Sequence, residues 1–121
     1  MQHTVLVVED ETALRVIYEY VLLPMGFEVL HAADGAQALA ILEQTTPDIV
    51  FLDMLLPQID GRTVLNYLRT ASHLTQTRVV IVTAHTRFES DAGDKDQFLL
   101  KPVLPAALRE AARRALADRE Q

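Results

Sequence analysis

The chain has 121 residues, half of them hydrophobic, a formal charge of −6 and no cysteine. That length makes one domain, residues 1–121, able to bury about two-thirds of its unfolded surface. The composition excludes a disulfide framework or thiolate metal site, and the acidity argues against direct nucleic-acid binding, which needs a basic face.

In chain order, five runs rich in β-branched and apolar residues occupy 4–8, 27–31, 49–52, 79–83 and 97–100. Most are nearly unbroken rather than alternating, the pattern of strands buried on both faces. None approaches the roughly 18 apolar residues of a spanning helix. The start, Met1-Gln2-His3-Thr4, has no basic leader, so a cytoplasmic protein without a membrane partner is expected.

Helical spacing fills the intervals. Ala13, Leu14, Ile17, Tyr18 and Val21 suggest one face, ended by Pro24 and Gly26. Ala36, Leu39, Ala40 and Ile41 follow Asp34-Gly35, and Val64, Leu65 and Leu68 follow Gly61. A last helix is predicted from Pro105 to about Arg119, with Leu104, Leu108, Ala111, Ala112 and Ala115 inward; proline in a first turn is free of penalty. The interval 86–96 is charged and interrupted by Gly93, with only Phe88 and Ala92 as an i,i+4 pair. A short frayed turn is expected there. Strand and helix alternate, which predicts an α/β fold: a doubly wound five-stranded parallel sheet, order 2-1-3-4-5, with helices on both faces.

In such a sheet ligands bind at the carboxyl ends of the strands, where the strand order reverses. Strand 1 ends in Glu9-Asp10-Glu11 and strand 3 in Asp53, so both loops at the switch point deliver carboxylates. Clustered carboxylates repel unless a cation joins them, and hard oxygen ligands suit Mg²⁺. Strand 4 adds the Thr83 hydroxyl and strand 5 the Lys101 ammonium. A metal, an ammonium and a hydroxyl around one phosphoryl group supply the positioning and charge neutralisation of phosphoryl transfer. Each residue has a plainer explanation. Acids favour helix N-termini, threonine is common at strand ends, and Lys101 before Pro102 could be a solvated loop lysine. Four strand ends converging on one chemistry outweigh those explanations.

At these residues the sequence resembles the response-regulator receiver family of two-component signal transduction, chemotaxis type, over nearly the whole chain. The pieces are Val7-Val8-Glu9-Asp10-Glu11, the Asp-x-x-x-Pro-x-x-Asp-Gly run from Asp53 through Pro57 to Asp60-Gly61, Val82-Thr83-Ala84, and Lys101-Pro102. The resemblance implies a phosphoacceptor rather than an enzyme. Asp53 would take a phosphoryl group from a phosphohistidine on a histidine kinase or histidine phosphotransferase. Glu9 and Asp10, with Asp53 and the Leu55 backbone carbonyl, would hold Mg²⁺, with Mn²⁺ as a substitute. Lys101, joined to Pro102 by a cis bond, would grip the phosphoryl group; Thr83 and Phe98 would be the switch pair. Leu55 and His85 would flank the path of an attacking water, and an apolar Leu55 implies slow self-dephosphorylation. A downstream protein or output domain, and a homodimer, are the remaining partners implied.

The interval from Thr83 to Lys101 is shorter than the family's by about one helical turn, which touches the usual output surface. That departure leaves open a degenerate receiver used only for protein interaction. A haloacid-dehalogenase-type phosphohydrolase is disfavoured because Leu55 stands where its second aspartate belongs. A flavodoxin is disfavoured because Glu9-Asp10-Glu11 would repel a phosphate. His3, His31 and His73 lack metal-ligand spacing and are expected at the surface.

Overall fold

A computed structural model describes residues 2–119. Five strands, β1 (Thr4–Val8), β2 (Glu28–Ala32), β3 (Ile49–Leu52), β4 (Arg78–Thr83) and β5 (Gln97–Leu100), alternate with helices α1 (Thr12–Leu22), α2 (Gly35–Gln44), α3 (Gly61–Thr70) and α4 (Pro105–Arg119). The sheet is wholly parallel, in the order β2-β1-β3-β4-β5, as the alternation predicts.

Alternate residues of each strand feed two separate cores. Leu6, Val8, Leu52 and Ile81 face α2 and α3, packing on Ala38, Leu42, Val64 and Leu68. Val5, Val7, Phe51 and Val82 face α1 and α4, packing on Tyr18, Val21, Leu108 and Ala112. Burial on both sides is the reason these strands read as unbroken apolar runs. Edge strand β5 is only half-buried, and its Leu100 is 45% exposed.

Two helices bury only part of the faces expected: Tyr18 and Val21 of α1 are buried, and Leu39 and Ile41 of α2 pack against the core. In α1 the buried residues are Tyr18, Val21 and Leu22, while Ala13 and Ile17 reach solvent. In α2 they are Gly35, Ala38 and Leu42, and Ala36 and Ala40 are exposed. Leu104 lies outside α4 and is 73% exposed. The faces of α3 and of the rest of α4 are as predicted.

The charged interval is not frayed. Residues Thr86–Asp91 form a 3-10 helix whose Phe88 is buried in the α2/α3 core. The Arg62 and Arg87 guanidinium carbons stand 5.0 and 4.7 Å from the Phe88 ring centroid, cation–π distances. Arg62 Nε donates to Asp91 at 3.1 Å and Arg69 to Asp96 at 2.7 Å, while the Gly93 N–H donates to the same Asp96 oxygen at 2.7 Å. Long-range ties to α3 supply what the local helical pattern lacks.

Candidate functional site

Backbone ladders carry the key side chains to one place. Three strands, β1, β3 and β5, continue their pairing one residue past their ends: Glu9 N donates to Ala32 O at 3.0 Å, Asp53 N to Val8 O at 3.1 Å and Lys101 N to Thr83 O at 2.8 Å. In register, Val8 lies beside Leu52 and Thr83 beside Leu100. Glu9, Asp53, Thr83 and Lys101 are therefore set by sheet geometry rather than by loop conformation, which fixes them tightly.

One carboxylate oxygen each from Glu9, Asp10 and Asp53 lie within 4.8 Å of one another. Glu9 and Asp53 are buried, whereas Asp10 is exposed at the mouth. Lys101 Nζ bridges the buried pair, 2.8 Å from Glu9 Oε1 and 2.9 Å from Asp53 Oδ2. Three carboxylates thus meet one ammonium. Burial pushes the Glu9 carboxyl above its ordinary range, and the Lys101 hydrogen bond and charge only partly oppose this. Burial works to lower the Lys101 value, but its hydrogen bonds to Glu9 and Asp53 outweigh that and hold the ammonium above its ordinary range. The two directions differ in their main cause: loss of water for Glu9, anionic partners for Lys101. Such a donor set, hard oxygens with one wet ligand, fits a small divalent cation.

The loop after Asp53 is built around that carboxylate. Leu55 N donates to Asp53 Oδ1 at 3.0 Å, and the Leu55 side chain is 41% exposed. Gly61 N donates to Met54 O at 3.0 Å, and a Cβ at Gly61 would overlap Met54 Cα and the Asp53 carbonyl. Hence the glycine that closes the Asp53-to-Gly61 run: the loop folds back on itself too closely for any side chain. Asp60 caps α3 through Thr63 N at 3.1 Å, the ordinary task of aspartate there. At the loop tip, Gln58 takes a positive φ of 66°.

The remaining predicted residues are less uniform in placement. Thr83 is fully buried, and its Oγ1 has no hydrogen-bond partner among the described residues. The Lys101–Pro102 bond is cis. Phe98 is half-buried against the α2/α3 core, paired in register with Ile81. His85 is exposed on the loop after β4. His3 and His31 are half-buried and His73 is exposed, its Nε2 2.7 Å from Leu42 O.

Two supporting residues were not singled out in the sequence. Arg15 Nη1 donates to the Glu9 carbonyl at 2.7 Å, and Nη2 to Thr12 Oγ1 at 3.1 Å, fixing the first loop. An arginine on the first turn after an acidic loop was the available signal. Tyr18 lies beneath the site; burial first, and then the Glu9 and Asp53 charges, raise its phenol above the ordinary range. Its helical position suggested core alone.

A family model described as the response regulator receiver domain matches residues 5–113. The chain belongs to the response regulator receiver family. Receivers are the signalling phosphoacceptors of two-component systems. Among curated relatives, this receiver is 31% identical over 122 residues to the chemotaxis protein CheY of Bacillus subtilis, covering 96% of this chain and 99% of that one. It is 33% identical over 120 residues to a probable transcriptional regulator, ycf27, of Porphyridium aerugineum, covering 93% of this chain but 47% of that protein. The chain spans about half the length, or less, of the first curated relatives it matches. Among solved structures it superposes with a TM-score of 0.86 and 26% identity on the receiver domain of a Pseudomonas aeruginosa sensor histidine kinase, covering 97% of this chain and 99% of that one. That structure has a magnesium ion coordinated in its active-site cleft.

Proposed function

We propose that Asp53 of this receiver accepts a phosphoryl group from a phosphohistidine of a partner histidine kinase or histidine phosphotransferase. The observation that carries this is the meeting of three carboxylates and the Lys101 ammonium at the carboxyl ends of the strands. An Asp53 carboxylate oxygen forms the new bond to phosphorus as the P–N bond breaks, its electron pair returning to the imidazole ring. Glu9, Asp10 and Asp53, with the Leu55 carbonyl, would hold Mg²⁺, or Mn²⁺ in its place, which would offset charge on the transferring group and on the acids around it.

The chain's own residues do the rest. Lys101 already touches Asp53 and can follow the charge onto a phosphoryl oxygen with little motion. The buried Thr83 hydroxyl, lacking a partner, donates to a second oxygen and so reports phosphorylation to β4. The N–H of Leu55 holds the Asp53 oxygen it already binds, orienting the carboxylate for attack. Neither exposed Leu55 nor His85 offers a carboxylate to activate water, which fits a long-lived phosphoaspartate. The same site accepts phosphate from small donors such as acetyl phosphate at a low rate and loses it by slow self-dephosphorylation. We assign the domain to the cytoplasm, where its phosphodonor resides, with a downstream protein or output domain as its target and dimerisation as one route to it.

A second reading, an interaction module that is never phosphorylated, draws support from the short segment after β4. Amide NMR in the presence of Mg²⁺ and beryllofluoride separates the two. Phosphoacceptor function predicts slow-exchange shifts at Glu9, Asp53, Thr83 and Lys101 that vanish in Asp53→Asn. Unchanged spectra in the parent chain would favour the interaction module.

A further inference from the structure

At the opposite end of the sheet, about 16 Å down β4 from Thr83, lies a cavity of about 330 Å³ lined by Arg78, Asp94, Lys95 and Asp118. Arg78 opens β4 and is only 9% exposed. Its backbone is fixed, Arg78 N donating to Asp48 O at 3.0 Å. Its side chain is not accounted for. The buried Nε has no hydrogen-bond partner, and no carboxylate among the described residues forms an ion pair with the guanidinium.

A guanidinium offers only N–H donors and no acceptor. A buried donor without a partner is costly, and natural proteins pair it. The cavity that Arg78 lines is therefore where a counter-charge belongs. Lys95, one of two lysines in the chain, brings a second cation to the same space. Asp94 and Asp118 bring two carboxylates, and both are exposed at the rim. Those acids would repel a dianion such as phosphate, while Arg78 and Lys95 would repel a simple cation. A small ligand carrying both charges satisfies both pairs. The volume is at the low end of small-ligand sites, about 300–1,000 Å³.

We propose that this cavity binds a small dipolar ion of the α-amino-acid class, its carboxylate taken by Arg78 and Lys95 and its ammonium by Asp94 and Asp118. Three of the four residues flank the elements that set the β5 side of the receiver, the loop before β5 and the end of α4. Occupancy would tie α4 to the loop that follows the short 3-10 segment.

The test is an amide NMR titration of the labelled chain with L-alanine, acetate, ethylammonium and inorganic phosphate in parallel. Alanine is expected to shift residues 78, 94, 95 and 118 saturably, with acetate and ethylammonium weaker by about tenfold or more. Asp118→Asn and Lys95→Ala, both on exposed positions, should each weaken alanine binding by about tenfold; Arg78→Gln should abolish it. Should Arg78→Gln fail to fold, the two surface variants decide the matter. Acetate or phosphate binding as tightly as alanine would overturn the dipolar ligand. So would shifts confined to Glu9, Asp53 and Lys101, an absence of saturable shifts, or full alanine affinity in both surface variants.

Discussion

The strand-end cluster around Asp53 and the segment after β4 are both rich in charge, yet they are built on opposite principles. Around Asp53 the carboxylates of Glu9 and Asp53 are buried, Lys101 Nζ sits between them, and with exposed Asp10 the acids outnumber the ammonium. In Thr86–Asp91 and the residues that follow it, most charges lie toward solvent, Asp91 and Asp96 are half-buried against arginines of α3, and an apolar anchor, Phe88, goes inward. Charge at the first site is gathered out of water at a cost in folding energy; at the second it trims the edge of an apolar contact. Salt screens the second kind of interaction far more than the first.

Substitutions should divide along that line. Phe88→Ala removes the anchor and should cost about 3 kcal/mol in denaturant unfolding, with amide protection lost across residues 86–96. It should leave phosphoryl uptake at Asp53 within a fewfold of the parent. If uptake collapses instead, the two regions are one unit. Lys101→Ala should slow uptake from acetyl phosphate by about a hundredfold, measured by intact mass against time, because the one ammonium at the site is gone.

The pH dependence sharpens the contrast further. Burial raises the Glu9 carboxyl above its unfolded value of 4.5, so folding favours its protonated form. The stability associated with that form is fully present below 4.5 and is lost as pH rises through the higher folded value. Without Mg²⁺, Glu9→Gln should therefore gain thermal stability relative to the parent as pH rises through that window. Saturating Mg²⁺ should shrink the difference. A parent that gains on the variant would mean that Lys101, not burial, governs Glu9. Smallest of all, Arg69→Ala should cost at most about 1 kcal/mol, an effect fading in high salt.

Much of this was legible in the sequence, for identifiable reasons. Strands buried on both faces leave unbroken apolar runs, so β1 and β3 could be bounded to the residue, as could the half-buried edge strand β5. Chemistry at strand ends is a matter of topology, so Glu9, Asp10, Asp53 and Lys101 could be brought together on paper. For α1 and α2 the inward Tyr18, Val21, Leu39 and Ile41 were legible, but the exposure of Ala13, Ile17, Ala36 and Ala40 was not. Nor could the order in residues 86–96, because Arg62 and Arg69 reach it from α3, more than twenty residues away in sequence. The bridge from Lys101 to Glu9 spans 92 positions and has no local signature. The Asp-Gly close of the Asp53 loop was visible, but its cause, a backbone contact that admits no Cβ at Gly61, emerges only in three dimensions.

The proposed acceptor is tested most directly by intact mass spectrometry of the purified chain incubated with acetyl phosphate and Mg²⁺. The account predicts a mass increase of one phosphoryl group, lost on chelating Mg²⁺ beforehand and absent in Asp53→Asn. A phosphoryl group that persists in Asp53→Asn, or no gain in the parent chain under any Mg²⁺ concentration, would contradict it.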